Sequence, residues 1–259
     1  MPGHLALTPQ NYLFPLHTNM KIIRNEKLIK RNSKIGQYAM WAGIVIVFGT
    51  VYFAIQFMRN PAMATATSQT VLLVVLFVSI IVSQVSMYFG GRWGRSPRPD
   101  EQIDAALKGI PGDYTMYHYL TPASHLLIGP AGVWVMMPYN QRGKITYQKN
   151  RWKNSGGGFV QGYMRIFGQE SIGRPDLEVS SEVAGLEKFL KKKLTGEESL
   201  PPIQAALVFF NPQVEIEADD APIPTMPAKK LKELIRKSAK EKPLDTVTLE
   251  KLKSALAPA

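Results

Sequence analysis

Two stretches of this chain lack any alternation of polar and apolar positions. Ala39–Met58 and Thr70–Phe89 are each 20 residues without a formal charge. At about 1.5 Å of rise per residue, each would span about 30 Å as a helix, the thickness of a hydrocarbon core. Soluble helices that are apolar on every side at this length are rare, so the pair predicts a transmembrane hairpin. Gln56 and Gln84 interrupt it only as polar exceptions, suited to a bond across the helix pair or a reach to the interface.

Beyond "GGRWGRSPRPD" (90–100), a linker punctuated by glycine and proline, the periodicities change. Residues 101–110 predict a helix capped by Asp100. The runs 114–120, 125–129 and 132–137 predict strands, and 143–154 is expected to pair with 158–170 across a glycine-rich turn. Residues 177–194 have helical spacing, with Leu177, Val183, Leu186, Leu190 and Leu194 on one side. "IQAALVFF" (203–210) is a continuous apolar run fit for a buried central strand. Two helices follow, 224–240 and 245–256, the second opened by Asp245 or Thr248. This order describes an α/β or α+β domain, a mixed sheet flanked by helices, preceded by the membrane hairpin.

Charge sharpens the picture. The net charge of +11 is concentrated: residues 1–99 carry ten Lys/Arg against Glu26 alone, whereas residues 100–259 carry 21 against 19 acids. Lys21, Arg24, Lys27, Lys30, Arg31 and Lys34 precede the first span, Arg92, Arg95 and Arg98 follow the second, and the connection holds only Arg59. Excess Lys/Arg marks the cytoplasmic side, which puts both termini and the domain inside a bacterial or archaeal cytoplasmic membrane. The basic stretch 21–34 is read as a short surface helix on anionic lipid or as solvated chain. Trp41, Tyr52, Phe53, Tyr88 and Trp93 sit where interfacial aromatics are expected. The expected organisation is a basic segment at 1–36, the hairpin at 37–91, a linker at 92–99, the domain at 100–240 and a helical tail at 241–259.

Candidate chemistry is sparse. The absence of cysteine excludes disulfides, thiolate metal sites and a cysteine nucleophile. Four scattered histidines, His4, His17, His118 and His125, have no metal-binding spacing, so no metal and no cofactor is expected. "NSGGGF" (154–159) lacks the Gly-Lys-Ser/Thr of a phosphate loop and reads as a turn.

The string "SHLLIGPAGVWVMMPYNQRGKI" (124–145) with Trp152, an acid at Glu101 in the first helix, a proline-led helix at Pro175 and the later buried strand resembles the NERD (nuclease-related) family. The likeness covers about residues 100–238. It implies a restriction-endonuclease-like fold and a divalent metal held by an Asp and the Glu of a Glu-x-Lys motif. Residue by residue, the Asp position holds Ser124, the Glu position Met137 and the Lys position Tyr139, while Asn140 and Gly143 match the family pattern and Glu178 replaces a glutamine. A thioether is a soft ligand for a hard cation, and serine and protonated tyrosine are neutral. The expectation is therefore a membrane-anchored pseudonuclease that binds or scaffolds a protein partner or membrane complex. A divergent nuclease using Glu101 or Asp104 is one alternative. A nucleic-acid tether is the other: Arg142, Lys144, Lys149, Arg151, Trp152, Lys153 and Arg165 form its basic, aromatic-interleaved patch.

Overall fold

The computed structural model describes residues 19–156, 172–194 and 200–256. The expected strand 158–170 and Arg165 lie outside that set. Helix α1 (Glu26–Arg59) and helix α2 (Ala66–Phe89) form the apolar hairpin, joined by a short helical turn at Pro61–Met63. Both are long and apolar enough to cross a membrane, and their flanks are mostly open: Phe48 is 72% exposed and Leu73 67%. Helix α1 begins at Glu26, well before the apolar run, so the basic stretch from Lys27 to Lys34 forms the first turns of the same helix. Its buried residues, Ile29, Asn32 and Gly36, follow helical spacing and form one seam. At Gly36 the seam is so tight that a Cβ would sit 2.8 Å from the Gly90 nitrogen.

Residues Lys21–Arg24 were assigned to a basic segment, yet they form strand β1 of the domain's main sheet. Isolated charge counting misses this, because the strand is recognised only through its partner. β1 lies parallel to β2 (Thr115–His118), which is antiparallel to β3 (His125–Gly129) and through it to β4 (Gly132–Tyr139). β7 (Ile203–Phe209) and β9 (Thr225–Pro227) continue the sheet in parallel, giving the order β1-β2-β3-β4-β7-β9. β5 (Gly143–Gln148), β6 (Arg151–Ser155) and β8 (Val214–Glu217) form a second, three-stranded sheet. The single strand expected at 143–154 is thus itself a hairpin, turned at Lys149 and Asn150, both with positive φ. Such a two-residue turn suits the right-handed twist of paired strands.

Both faces of the main sheet are covered, which explains the continuous apolar character of its central strands. Alternate residues of β3, β4 and β7 (Leu126, Ile128, Val133, Val135, Leu207) pack with Leu186 and Leu190 of α4 (Pro175–Lys193) and Leu249 and Leu252 of α6 (Thr246–Ala255). The intervening residues (Leu127, Trp134, Met136, Ala206) pack with Ile103 of α3 (Pro99–Ala106) and Leu231 and Ile235 of α5 (Ala228–Glu241). The fold is a mixed sheet between helical layers, as the pattern predicted, and α6 is one of those layers. The Asp245 side chain does cap it, accepting from the Thr248 N–H at 2.8 Å.

Candidate functional site: a cleft at the hairpin end of the sheet

Strand direction brings one set of residues to one end of the sheet. β1 and β2 finish there at Arg24 and His118, β3 starts there at His125, and β4 finishes there at Tyr139. The same end adjoins the apolar hairpin, because Asn25 follows β1 directly and caps α1, accepting from the Leu28 N–H at 3.0 Å. Asn25 also donates to the Tyr119 carbonyl at 3.1 Å, which fastens α1 to the domain. Trp93, expected at the lipid interface, is instead buried against Tyr119 with ring centroids 4.3 Å apart, beside Ile29. Packing on a neighbouring aromatic outweighs its place in the sequence.

A cleft of about 680 Å³ opens at this end between α4 and the helical turn Gly90–Gly94 that follows α2. Its lining includes all three positions where the resemblance places catalytic groups: Ser124, Met137 and Tyr139. Two carboxylates of α4 meet them. Glu182 accepts from the Ser124 hydroxyl at 2.9 Å and from its N–H at 3.1 Å, and Glu178 accepts from the Tyr139 hydroxyl at 2.8 Å. Burial pushes the Glu182 carboxyl above the usual carboxylate range, against the Ser124 hydrogen bonds that favour its charge. Burial, then the Glu178 hydrogen bond and charge, pushes the Tyr139 hydroxyl well above its ordinary value, so it remains a proton donor. Arg92 completes this wall, donating to the Ser124 hydroxyl at 3.1 Å and lying over the Trp93 ring.

The other wall leads into a buried polar chain. His125 lines the cleft, and its Nδ1 is 2.8 Å from Nδ1 of His118, whose Nε2 is 2.9 Å from Oδ1 of Asp104. Both rings are fully buried. Asp104 also pairs with Arg24, and Asp100 is held by Arg98 through two bonds of 3.0 Å, with Arg24 Nε 3.2 Å away but not aligned for a hydrogen bond. With both rings neutral, His118 donates from Nε2 to Asp104 and accepts at Nδ1 from His125 Nδ1–H; a proton on His118 Nδ1 reverses the second bond. Among the described residues, His125 Nε2 has no hydrogen-bond partner.

Burial pushes the His125 pKa well below the ordinary histidine value, and the charges of His118 and Arg92 act the same way. The unfolded chain therefore takes up a proton near pH 6.5 that folded His125 refuses, so its contribution is intact above that pH and lost as pH falls. We expect urea titrations to show stability dropping on acidification by up to about 1.4 kcal/mol per pH unit below about 6. His125→Asn should flatten that slope; an unchanged slope would refute the assignment.

The remaining sequence candidates are dispersed. Glu101 is turned back on its own helix, accepting from Arg98 N–H at 2.9 Å and the Ser96 hydroxyl at 2.7 Å. It does not line the cleft, and Asp104 reaches it only through the two histidines. Asp100, expected as a cap, is fully buried within the ion cluster. Arg24 belongs to that cluster and not to a lipid-facing surface, while Lys27, Lys30, Arg31, Lys34 and Arg95 are exposed. In the basic patch, Trp152 is 7% exposed and packs with Tyr147, so its ring is not open to a base, and Lys144 is paired with Glu217 at 2.5 Å. Arg142, Lys149, Arg151 and Lys153 are exposed. Glu182 was not anticipated; its place four residues after Glu178 in a predicted helix was the available signal.

No family model, curated protein or solved structure matches this chain. Nothing in these comparisons identifies a NERD domain, and the resemblance rests on the motif residues alone. Among the described residues, no three His, Asp or Glu side chains are grouped to hold a metal ion.

Proposed function

We propose that this chain is a membrane-anchored, NERD-like binding or scaffolding subunit that presents its cleft at the cytoplasmic surface without hydrolysing nucleic acid. One observation supports this most: the carboxylates at the strand tip are already engaged by the hydroxyls of Ser124 and Tyr139. A hard divalent cation needs several oxygen ligands free of such commitments, together with waters. Here the central position is a thioether, Met137, and no lysine is among the described residues that line the cleft. The wall formed by Gly91 and Arg92 directly follows the second span, which favours a ligand or partner met at the bilayer surface.

The test uses full-length protein in nanodiscs with Mg²⁺ or Mn²⁺ and several DNA and RNA substrates. No cleavage above that of the Glu178→Gln/Glu182→Gln variant is expected. Cleavage by the wild type that this variant loses would overturn the reading and restore the nuclease.

A further inference from the structure

Resting on the proposal that the hairpin anchors this chain in a membrane, we infer that the first turns of α1 form a binding face for anionic phospholipid headgroups. Its residues are Lys27, Lys30, Arg31 and Lys34. The stretch is neither a separate helix nor loose chain, because α1 runs unbroken from Glu26 to Arg59. Its 34 residues measure about 51 Å, about 20 Å more than a hydrocarbon core needs, and the surplus lies before the apolar run.

That extension has two faces of opposite character. At about 100° per residue, the buried Ile29, Asn32 and Gly36 share an arc of about 60°. Ile29 packs there with Trp93, and Gly36 meets Phe89 and Gly90. Lys27, Lys30, Arg31 and Lys34 share an arc of about 100° centred on the opposite side of the helix. All four are exposed, and none makes an ion pair among the described residues. Glu26 is the only acid in the first 99 residues, and the exposed Arg95, just past the turn that packs on α1, adds a fifth cation to this end.

Height above the bilayer selects the partner. Lys34 stands about 7.5 Å before Ala39, at the level of the headgroups, and Arg31 and Lys30 stand at about 12 and 13.5 Å. Lys27, at about 18 Å, lies at the fringe of a field that decays over about 8–10 Å beyond the headgroups. Anionic lipid therefore draws most on Lys34 and least on Lys27, whereas a dissolved polyanion lying along the stripe draws on both alike. The anchor adds to the preference for lipid, since it holds headgroups beside the face at an effective concentration that no dissolved partner matches.

The experiment uses full-length protein in phosphatidylcholine vesicles carrying a trace of spin-labelled phosphatidylglycerol or spin-labelled phosphatidylcholine. Electron paramagnetic resonance reads the share of each label that the protein restricts. The wild type should favour phosphatidylglycerol about threefold or more. In 1 M NaCl, an arm that needs no variant, the ratio should fall to about one. Lys34→Gln should lower it more than Lys27→Gln, and Lys27→Gln/Lys30→Gln/Arg31→Gln/Lys34→Gln should abolish the preference with the thermal transition unchanged. Lys188→Gln/Lys191→Gln/Lys192→Gln/Lys230→Gln makes the same charge change on exposed lysines of α4 and α5 and should retain it.

Equal restriction of both labels by the wild type, a preference that survives salt or the fourfold α1 variant, or equal effects of Lys27→Gln and Lys34→Gln would each overturn the inference. So would loss of the preference in the α4–α5 control. Displacement of the phosphatidylglycerol label by an equimolar single-stranded oligonucleotide would give the face to nucleic acid instead and overturn it too. All these outcomes leave the anchored reading standing; protein that fails to enter the vesicles removes that reading.

Discussion

A fragment beginning at Arg98 and ending at residue 256, the natural choice for a soluble domain, is expected to aggregate or fail to fold. The reason is β1. Without it, the fully buried strand Thr115–His118 becomes an open edge, and unpaired edges of apolar strands template association. Backbone bonds from Lys21 N–H to the Tyr114 carbonyl at 3.0 Å and from Asn25 N–H to the His118 carbonyl at 3.0 Å go with it. So does Met20, which sits in the core with Ile103 and Met116. Loss of Arg24 leaves Asp104 facing His118 without its guanidinium partner, and removing one member of a pair that keeps some solvent contact costs about 2–4 kcal/mol. That is a large share of a typical domain's total of about 5–15 kcal/mol. Fusing residues 19–25 ahead of Arg98 through a flexible linker should restore a monomeric species by light scattering, with a cooperative thermal transition. A monodisperse fragment of equal Tm without β1 would refute this account.

Asp100→Ala should be the most damaging single substitution in the ion cluster. Asp100 is fully buried, and both of its oxygens are used by Arg98, with Arg24 nearby. Truncation strands two guanidiniums that retain some solvent contact, so the expected loss is about 2–4 kcal/mol, below that of a fully buried pair. A urea titration of the full-length protein in detergent should show the midpoint falling. Asp176→Ala, which breaks the exposed pair with Arg174, should leave it unchanged. A similar midpoint for Asp100→Ala would mean that the cluster contributes little.

Both expectations depend on features that differ in how far the chain discloses them. The two long apolar helices are legible because Ala39–Met58 and Thr70–Phe89 combine the length and the lack of charge that crossing a bilayer requires. The layers of the domain are legible because the continuous apolar run of β4 marks a strand covered on both faces and period 3.6 in α4 marks its buried side. The strand-tip positions Ser124, Met137 and Tyr139 were found by motif, and they do share one cleft. The turn at Lys149–Asn150 was not found, since neither residue is a glycine and only its partner strand demands positive φ there.

What the sequence by itself determined is local: where the chain is apolar on all sides, where it alternates, and which residue types stand at the tip of the β3–β4 hairpin. Only the tertiary structure decided which distant residues meet. It joined Lys21–Arg24 to the sheet, turned Arg24 from a membrane-facing charge into the partner of buried acids, and set Glu182 on Ser124 and His118 on His125. Pairing between strands and burial of charge depend on groups far apart in the chain, and no window of neighbouring residues carries that information.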